Sequence, residues 1–316
     1  MKILANDGLS NQALLLLDNN GFEVLTTKVA QEQLSNYLNK NQIEILIVGN
    51  ATKINQSIIN TCPNLKIIGK LGLEMDNIII DTNHPNTIKL LNTPNASVNA
   101  VAELAIGHLI SGARYLHDSN RNMPLEGDTH FNQLKKVYST GLELKGKTLG
   151  IIGFGKIGKA VSQKALALGM KVIATANERK QTSVEIEFYT GQKTTIPLDL
   201  MPLDDLLPLA DFISLHIPPQ EKYLLTATEF KRMKQGVGII NCSKGELINE
   251  VDLIEYLENK KISFAGLDVF QGEPNPAVQL LMHPDISLTP HIGGSTTETF
   301  ENMSIEMAHK IIDLYT

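Results

Sequence analysis

Three short segments in the second half of the chain carry a histidine, two carboxylates and a lysine. Asn241-Cys242-Ser243-Lys244-Gly245 closes one apolar run, and Gly266-Leu267-Asp268-Val269-Phe270-Gln271-Gly272-Glu273-Pro274 closes another. Thr289-Pro290-His291-Ile292-Gly293 follows a third. A histidine that titrates near neutrality can take a proton from an alcohol, and a carboxylate beside it stabilises the imidazolium that forms. A cation can hold a substrate carboxylate and polarise the carbonyl next to it. Upstream, Gly153-Phe154-Gly155-Lys156-Ile157-Gly158 is a G-x-G-x-x-G that directly follows the apolar strand Leu149-Gly150-Ile151-Ile152. Its first glycine allows a tight turn, its second lets a pyrophosphate approach the backbone, and its third brings helix and strand together. The pattern is that of a dinucleotide site beside an acid–base pair.

The elements that must position these groups are alternating strands and helices. Lys2–Ala5, Glu23–Leu25, Ile43–Val48 and Leu65–Ile68 read as buried strands, with amphipathic helices at Ser10–Asn19 and Ala30–Asn39. Asn92-Thr93-Pro94-Asn95-Ala96-Ser97 interrupts the pattern, and a helix from Val98 to about Leu116 follows. A second series reads as strands at Thr148–Ile152, Lys171–Ala174, Phe212–Leu215, Val237–Asn241, Phe264–Leu267 and Ile286–Leu288. Val184, Ile186 and Phe188 alternate before Gly191 and predict an inserted hairpin. A final helix is expected from about Thr296 to Leu314. The fold class is therefore α/β, with two doubly wound parallel-sheet domains of Rossmann-like or flavodoxin-like type. Domain crossings are expected near Asn95 and Pro290, giving a discontinuous domain of 1–97 plus 291–316 and a nucleotide domain of 98–290.

The position that usually binds the ribose hydroxyls lacks its acid. Ala174-Thr175-Ala176-Asn177 ends the second strand of this domain, and Glu178, Arg179 and Lys180 follow. A small neutral residue with nearby Arg and Lys suits a 2′-phosphate, so NADP(H) stands beside NAD(H). The same three charges equally read as a solvated turn.

Composition excludes other classes. The 316 residues hold 34 acidic and 28 basic side chains, a net charge of −6, with no basic block for nucleic acid. Hydrophobic residues at 42% and charged residues at 20% describe a globular chain. No apolar run approaches the roughly 18 residues of a membrane span, and the start, MKILANDG, lacks a signal peptide's apolar stretch. Two cysteines, Cys62 and Cys242, fit a reducing cytoplasm. No metal-ligand spacing stands out.

At these residues the sequence resembles the D-isomer-specific 2-hydroxyacid dehydrogenase family, most closely short 3-phosphoglycerate dehydrogenases. The resemblance is carried by MDNI at Met75–Ile78, AVAEL at Ala100–Leu104, GKTLGIIGFGKIG at Gly146–Gly158, SLHIP at Ser214–Pro218, GLDVF at Gly266–Phe270 and LTPHIG at Leu288–Gly293. It implies two domains separated by a cleft, a homodimer formed through the nucleotide domain, and hydride transfer at carbon 2 of a small 2-hydroxy or 2-oxo acid. It also implies His291 as catalytic acid/base, Glu273 as its carboxylate partner and Asp268 at the nicotinamide carboxamide. Further cofactor contacts fall at Lys156, Ile157, Asn177, His216 and Pro218. Asn50, Leu73, Glu74 and Asn95 match substrate loops, and Lys135 and Lys136 lie where phosphoglycerate dehydrogenases collect a phosphate. As a pair of exposed charges these lysines equally read as a solvated face. One helix follows His291, so no serine-feedback module is expected.

The chain departs from the family at the substrate site. Lys244 stands where the family has an arginine, which would grip a carboxylate through two parallel hydrogen bonds. Gly49-Asn50 replaces Arg-Ser. Gly72-Leu73-Glu74 replaces a glycine-rich loop, bringing a carboxylate toward the substrate's own, and Asn249 replaces an Asp. 3-Phosphoglycerate in serine biosynthesis is the first substrate candidate. The alternatives are an NADP-dependent glyoxylate or hydroxypyruvate reductase, and a paralogue that keeps nucleotide binding with impaired catalysis.

Overall fold

Strand formation follows runs of isoleucine, valine and leucine bounded by glycine, asparagine and aspartate. A computed structural model describes residues 1–81, 88–176 and 182–315. Its contacts divide the chain into two units, Met1–Val98 with Gly294–Thr316, and Asn99–Gly293.

Unit 1 contains β1 (Lys2–Ala5), β2 (Glu23–Leu25), β3 (Ile45–Val48), β4 (Ile54–Asn55), β5 (Ile67–Lys70), β6 (Ile78–Ile79) and β7 (Lys89–Asn92). Five of them form a parallel sheet in the order β2-β1-β3-β5-β7, and β4 pairs with β6. Ile45, Leu46, Ile47 and Val48 of β3 are all fully buried, as expected of a parallel strand covered on both faces. Helix α1 (Asn11–Asn19) and the C-terminal helix (Thr297–Ile312) pack with Ile45 and Ile47 on one face. Helices α2 (Leu34–Lys40) and α3 (Gln56–Thr61) pack with Leu46 and Val48 on the other. Ser10 caps α1 and Thr296 caps the C-terminal helix, each accepting from a backbone N–H in the first turn.

Unit 2 opens, from Asn99 on, with α4 (Val98–Ala113), α5 (Leu116–Glu126) and α6 (Phe131–Val137). Its strands are β8 (Thr148–Ile152), β9 (Lys171–Thr175), β10 (Thr182–Glu187), β11 (Lys193–Leu198), β12 (Phe212–Leu215), β13 (Val237–Asn241), β14 (Ile262–Leu267) and β15 (Ile286–Leu288). Six form a parallel sheet in the order β15-β14-β13-β12-β8-β9, while β10 and β11 form an antiparallel hairpin. Helices α7 (Lys156–Ala167), α8 (Leu203–Leu206), α9 (Ala227–Arg232), α10 (Glu250–Glu258) and α11 (Val278–Leu281) connect them. The strand order reverses between β8 and β12, and such a switch point is where open α/β sheets bind ligands.

Three of the differences from the sequence expectation have a clear physical cause. The helix after Val98 stops at Ala113, because the Ala113 carbonyl accepts the Leu142 N–H at 2.8 Å and Tyr115 turns left-handed with φ of 56°. The chain then continues into α5 and α6, which contain Pro124 and few buried residues and so show little periodicity. Strand β5 sits two residues later than expected, since it ends on Lys70, a buried lysine that an apolar run does not anticipate. At the second crossing, His291, Ile292 and Gly293 belong to unit 2, where all three backbone N–H groups bond to Asp268.

Candidate active site

Strand β8 delivers the chain into Gly153, whose φ of 99° suits glycine. A Cβ at Gly153 would lie 2.3 Å from the His216 carbonyl oxygen, and one at Gly158 would lie 2.1 Å from the Gly153 carbonyl oxygen. A side chain at Gly158 would push α7 off the turn, and one at Gly153 would collide with His216 and Ile217 after β12. At Gly155, the N-cap of α7, a Cβ would meet no protein atom within 4 Å, so the backbone faces open space. The first turn of α7, with Lys156 and Ile157, carries no acidic residue to compete with an anion. This cradle fits a dinucleotide pyrophosphate.

His216 follows β12 beside the same turn. Its Nε2 lies 2.8 Å from Ser214 Oγ, whereas its Nδ1 is buried and lacks a hydrogen-bond partner. Burial pushes the imidazole down to about 3, so the ring is neutral. An unpaired buried nitrogen costs roughly 1–3 kcal/mol, and a polar group of a bound nucleotide would relieve it. Pro218 is exposed on the same loop, which the Ser243 hydroxyl ties down by donating to the Ile217 carbonyl at 2.6 Å. Asn177, with Glu178, Arg179 and Lys180, lies outside the described residues.

His291 and Glu273 are brought together from two loops of unit 2. His291 Nδ1 lies 2.7 Å from Glu273 Oε2, and Glu273 Oε1 accepts the Phe270 N–H at 2.9 Å. The carboxylate thus orients the ring and leaves Nε2 for a reacting group. His291 adopts φ of 53°, and its N–H donates to the Asp268 carbonyl at 2.9 Å. The Asp268 carboxylate is 1% exposed. Its Oδ1 accepts from the Ile292 N–H at 2.8 Å and the Thr289 hydroxyl at 2.6 Å, and its Oδ2 from the Gly293 N–H at 2.7 Å. Three donors therefore occupy the group that the resemblance places at the nicotinamide carboxamide. In this structure it holds the histidine loop.

Glu250 is a residue the sequence reading missed. At the start of α10 it resembles any exposed helix-end acid, yet it is 8% exposed and accepts the Gln271 N–H at 2.7 Å. Burial pushes its carboxyl upward, against that hydrogen bond. Asn249 caps α10 through the Val251 and Asp252 N–H groups, so its replacement of an Asp preserves the cap. Lys244 lies half-buried just beyond β13, its carbonyl accepting from Asn241 Nδ2 at 2.8 Å. A Cβ at the neighbouring Gly245 would meet the Phe270 carbonyl carbon at 2.1 Å, so the lysine loop packs directly on the loop carrying Glu273. Burial pushes the Cys242 thiol far upward, which removes it as a nucleophile.

Unit 1 brings two of its four candidates together. Lys70, also missed from the sequence, is 2% exposed and donates to Asn50 Oδ1 at 2.6 Å and to the Leu71 carbonyl at 2.9 Å. Burial lowers its pKa, while Glu74, Asp7 and Asp76 favour the charge. Glu74 thus shares its surroundings with an ammonium that a sequence comparison of the loop alone does not supply. Leu73 is exposed, and its carbonyl accepts from Asn92 Nδ2. Asn95 points elsewhere, 3.3 Å from Glu306 Oε1. Lys135 and Lys136 are exposed in the last turn of α6 in unit 2. Among the described residues, no group of three or more His, Cys, Asp or Glu could hold a metal ion, and no helix is long and apolar enough to cross a membrane.

Comparison with known proteins agrees with this geometry. Residues 106–293 match the family described as D-isomer specific 2-hydroxyacid dehydrogenase, NAD binding domain. The chain is 36% identical to a hydroxypyruvate reductase of Thermotoga maritima, over 98% of this chain and 97% of that protein. It is 32% identical to the D-3-phosphoglycerate dehydrogenase of Bacillus subtilis over 98% of its length, but spans only 56% of that enzyme. A glyoxylate reductase structure from Paecilomyes thermophila superposes with a TM-score of 0.76 at 25% identity, covering 98% of this chain and 93% of the other.

Proposed function

The chain belongs to the D-isomer specific 2-hydroxyacid dehydrogenase family, NAD-dependent oxidoreductases, and from that premise we propose that it reduces a small unphosphorylated 2-oxo acid of the hydroxypyruvate type. The observation that carries the proposal is the 2.7 Å pair of His291 Nδ1 and Glu273 Oε2 in the unit that holds the glycine turn. Gly153, Gly155, Gly158 and the neighbouring His216 would hold NADH, which would supply the hydride. His291 gives the proton from Nε2 to the oxygen developing negative charge at carbon 2, and Glu273 stabilises the imidazolium beforehand. Lys244 holds the substrate carboxylate as a point charge.

Substrate selection is assigned to the carboxyl ends of the unit 1 strands. There the Lys70 ammonium interacts with the carboxylates of Glu74, Asp7 and Asp76. That balance disfavours a phosphate dianion and tolerates a hydroxyl. The whole-length similarity to hydroxypyruvate reductase supports the same choice. The second candidate is 3-phosphohydroxypyruvate, with a place in serine biosynthesis; Lys135, Lys136 and the similarity to phosphoglycerate dehydrogenases favour it. NADPH is the alternative cofactor through Arg179 and Lys180.

The test follows NADH and NADPH oxidation with hydroxypyruvate, glyoxylate and 3-phosphohydroxypyruvate in turn. Turnover of hydroxypyruvate with the higher kcat/KM is the expected result; preference for the phosphorylated acid would replace it with the second candidate. Cofactor binding without turnover of any of them would support the impaired paralogue. Exposed Leu116, Met123, Leu125, Phe131 and Val137 on α5 and α6 support a homodimer through unit 2, which sedimentation checks. The two buried free cysteines suit a reducing compartment such as the cytoplasm.

A further inference from the structure

Beneath the His291 loop runs a line of polar side chains that proton transfer does not use. The Thr289 hydroxyl, which donates to Asp268 Oδ1, lies 2.9 Å from Nε2 of His108, 181 residues earlier on α4. His108 is 3% exposed, and its Nδ1 lies 3.0 Å from Ser287 Oγ. Ser287 is 3.1 Å from Ser111 Oγ, which approaches His117 Nδ1 at 3.4 Å. Room for the imidazole comes from a glycine: a Cβ at Gly266 of β14 would lie 2.5 Å from the His108 Cβ.

The polarity of this line follows from its end. The Asp268 carboxylate accepts only, so the Thr289 proton points to it and the Thr289 lone pairs face His108. Nε2 of His108 therefore carries a proton and donates it to Thr289, while Nδ1 lies beside Ser287 Oγ, whose own proton goes to Ser111 Oγ. Burial pushes this histidine down to about 4, so the ring is neutral. A side-chain-bearing residue with φ of 53°, such as His291, persists only when its surroundings over-determine it.

We infer that His108 is a positioning residue for the acid–base loop: it keeps the Thr289 hydroxyl on Asp268, so that Asp268 holds the Ile292 and Gly293 amides and His291 in its left-handed conformation. His108 does not touch substrate. The kinetic part of its test rests on the dehydrogenase function proposed above.

The test compares wild type with His108→Asn, His108→Gln, Thr289→Val and the double variant H108N/T289V. Asparagine is too short to reach Thr289, whereas glutamine places an N–H near the Nε2 position. Expected is a kcat about ten- to a hundredfold lower in H108N with little change in KM for the 2-oxo acid, and recovery of most of it in H108Q. The double variant should be no slower than T289V, because both act through one hydroxyl. Losses that multiply, an H108Q as slow as H108N, or an H108N within about twofold of wild type would overturn the inference. The second readout needs no turnover: the Ile292 and Gly293 amide protons should shift upfield in H108N and T289V and return in H108Q. If those resonances do not move, His108 does not act on the loop. If they move in a protein that reduces no 2-oxo acid, the proposed function fails and the positioning role stands.

Discussion

A 2.7 Å contact between an imidazole and a carboxylate has chemical consequences only if charge is needed there. Replacing Glu273 with Gln keeps the shape and removes the charge that the proposed function requires beside His291. Expected for Glu273→Gln is a kcat lower by about a hundredfold or more, with KM for the acid little changed, read by steady-state NADH oxidation. Lys244→Arg makes the opposite change, adding a fork that can grip a carboxylate at two points. A KM for the 2-oxo acid several-fold below wild type is expected. An unchanged KM would mean that the substrate carboxylate is held elsewhere. The Asn249 departure should matter least at this scale, since asparagine caps α10 as an aspartate would.

The β8–turn–α7 element separates two kinds of glycine. At Gly158 a methyl would meet a backbone oxygen at 2.1 Å, and the backbone there cannot yield without moving the helix. At Gly155 a methyl meets no protein atom within 4 Å. Gly158→Ala should therefore lower the melting temperature by several degrees together with NADH affinity. Gly155→Ala should leave the melting temperature nearly unchanged while NADH affinity falls by about tenfold or more, because the methyl occupies ligand space rather than protein space. Calorimetry and nicotinamide fluorescence titration distinguish the two. The α4 element shows a comparable economy: Gly112 admits Phe264, whose ring would overlap a Cβ there, and Gly266 admits His108.

Across the whole molecule, stability should depend on pH through buried neutral histidines. His108 sits at about 4, lowered first by burial and raised in part by Asp268, while an unfolded histidine titrates near 6.5. As pH falls below about 6.5 the unfolded chain binds a proton that the native state refuses, so stability declines until about pH 4 and is regained on raising pH. His216, lowered by burial to about 3, acts in the same direction. The contribution of His108 is on the order of 1.4 kcal/mol per pH unit in that window. Melting temperatures between pH 7 and 5 should fall less steeply in H108N than in wild type, and parallel curves would refute this origin. The sequence by itself determined two β-α series, the inserted hairpin, the glycine turn and the short motifs that carry His291 and Glu273. Each of these rests on local chemistry: periodic burial, a glycine's freedom, or a short motif at a strand end. Tertiary structure alone decided that Lys70 reaches Asn50, that Glu250 supports the loop carrying Glu273, and that the α4 helix stops at Ala113. It also decided that Asp268 is surrounded by the loop it carries, and that His108 stands under Thr289. Those partners come together only when separate strands and helices pack, so no spacing along the chain records them.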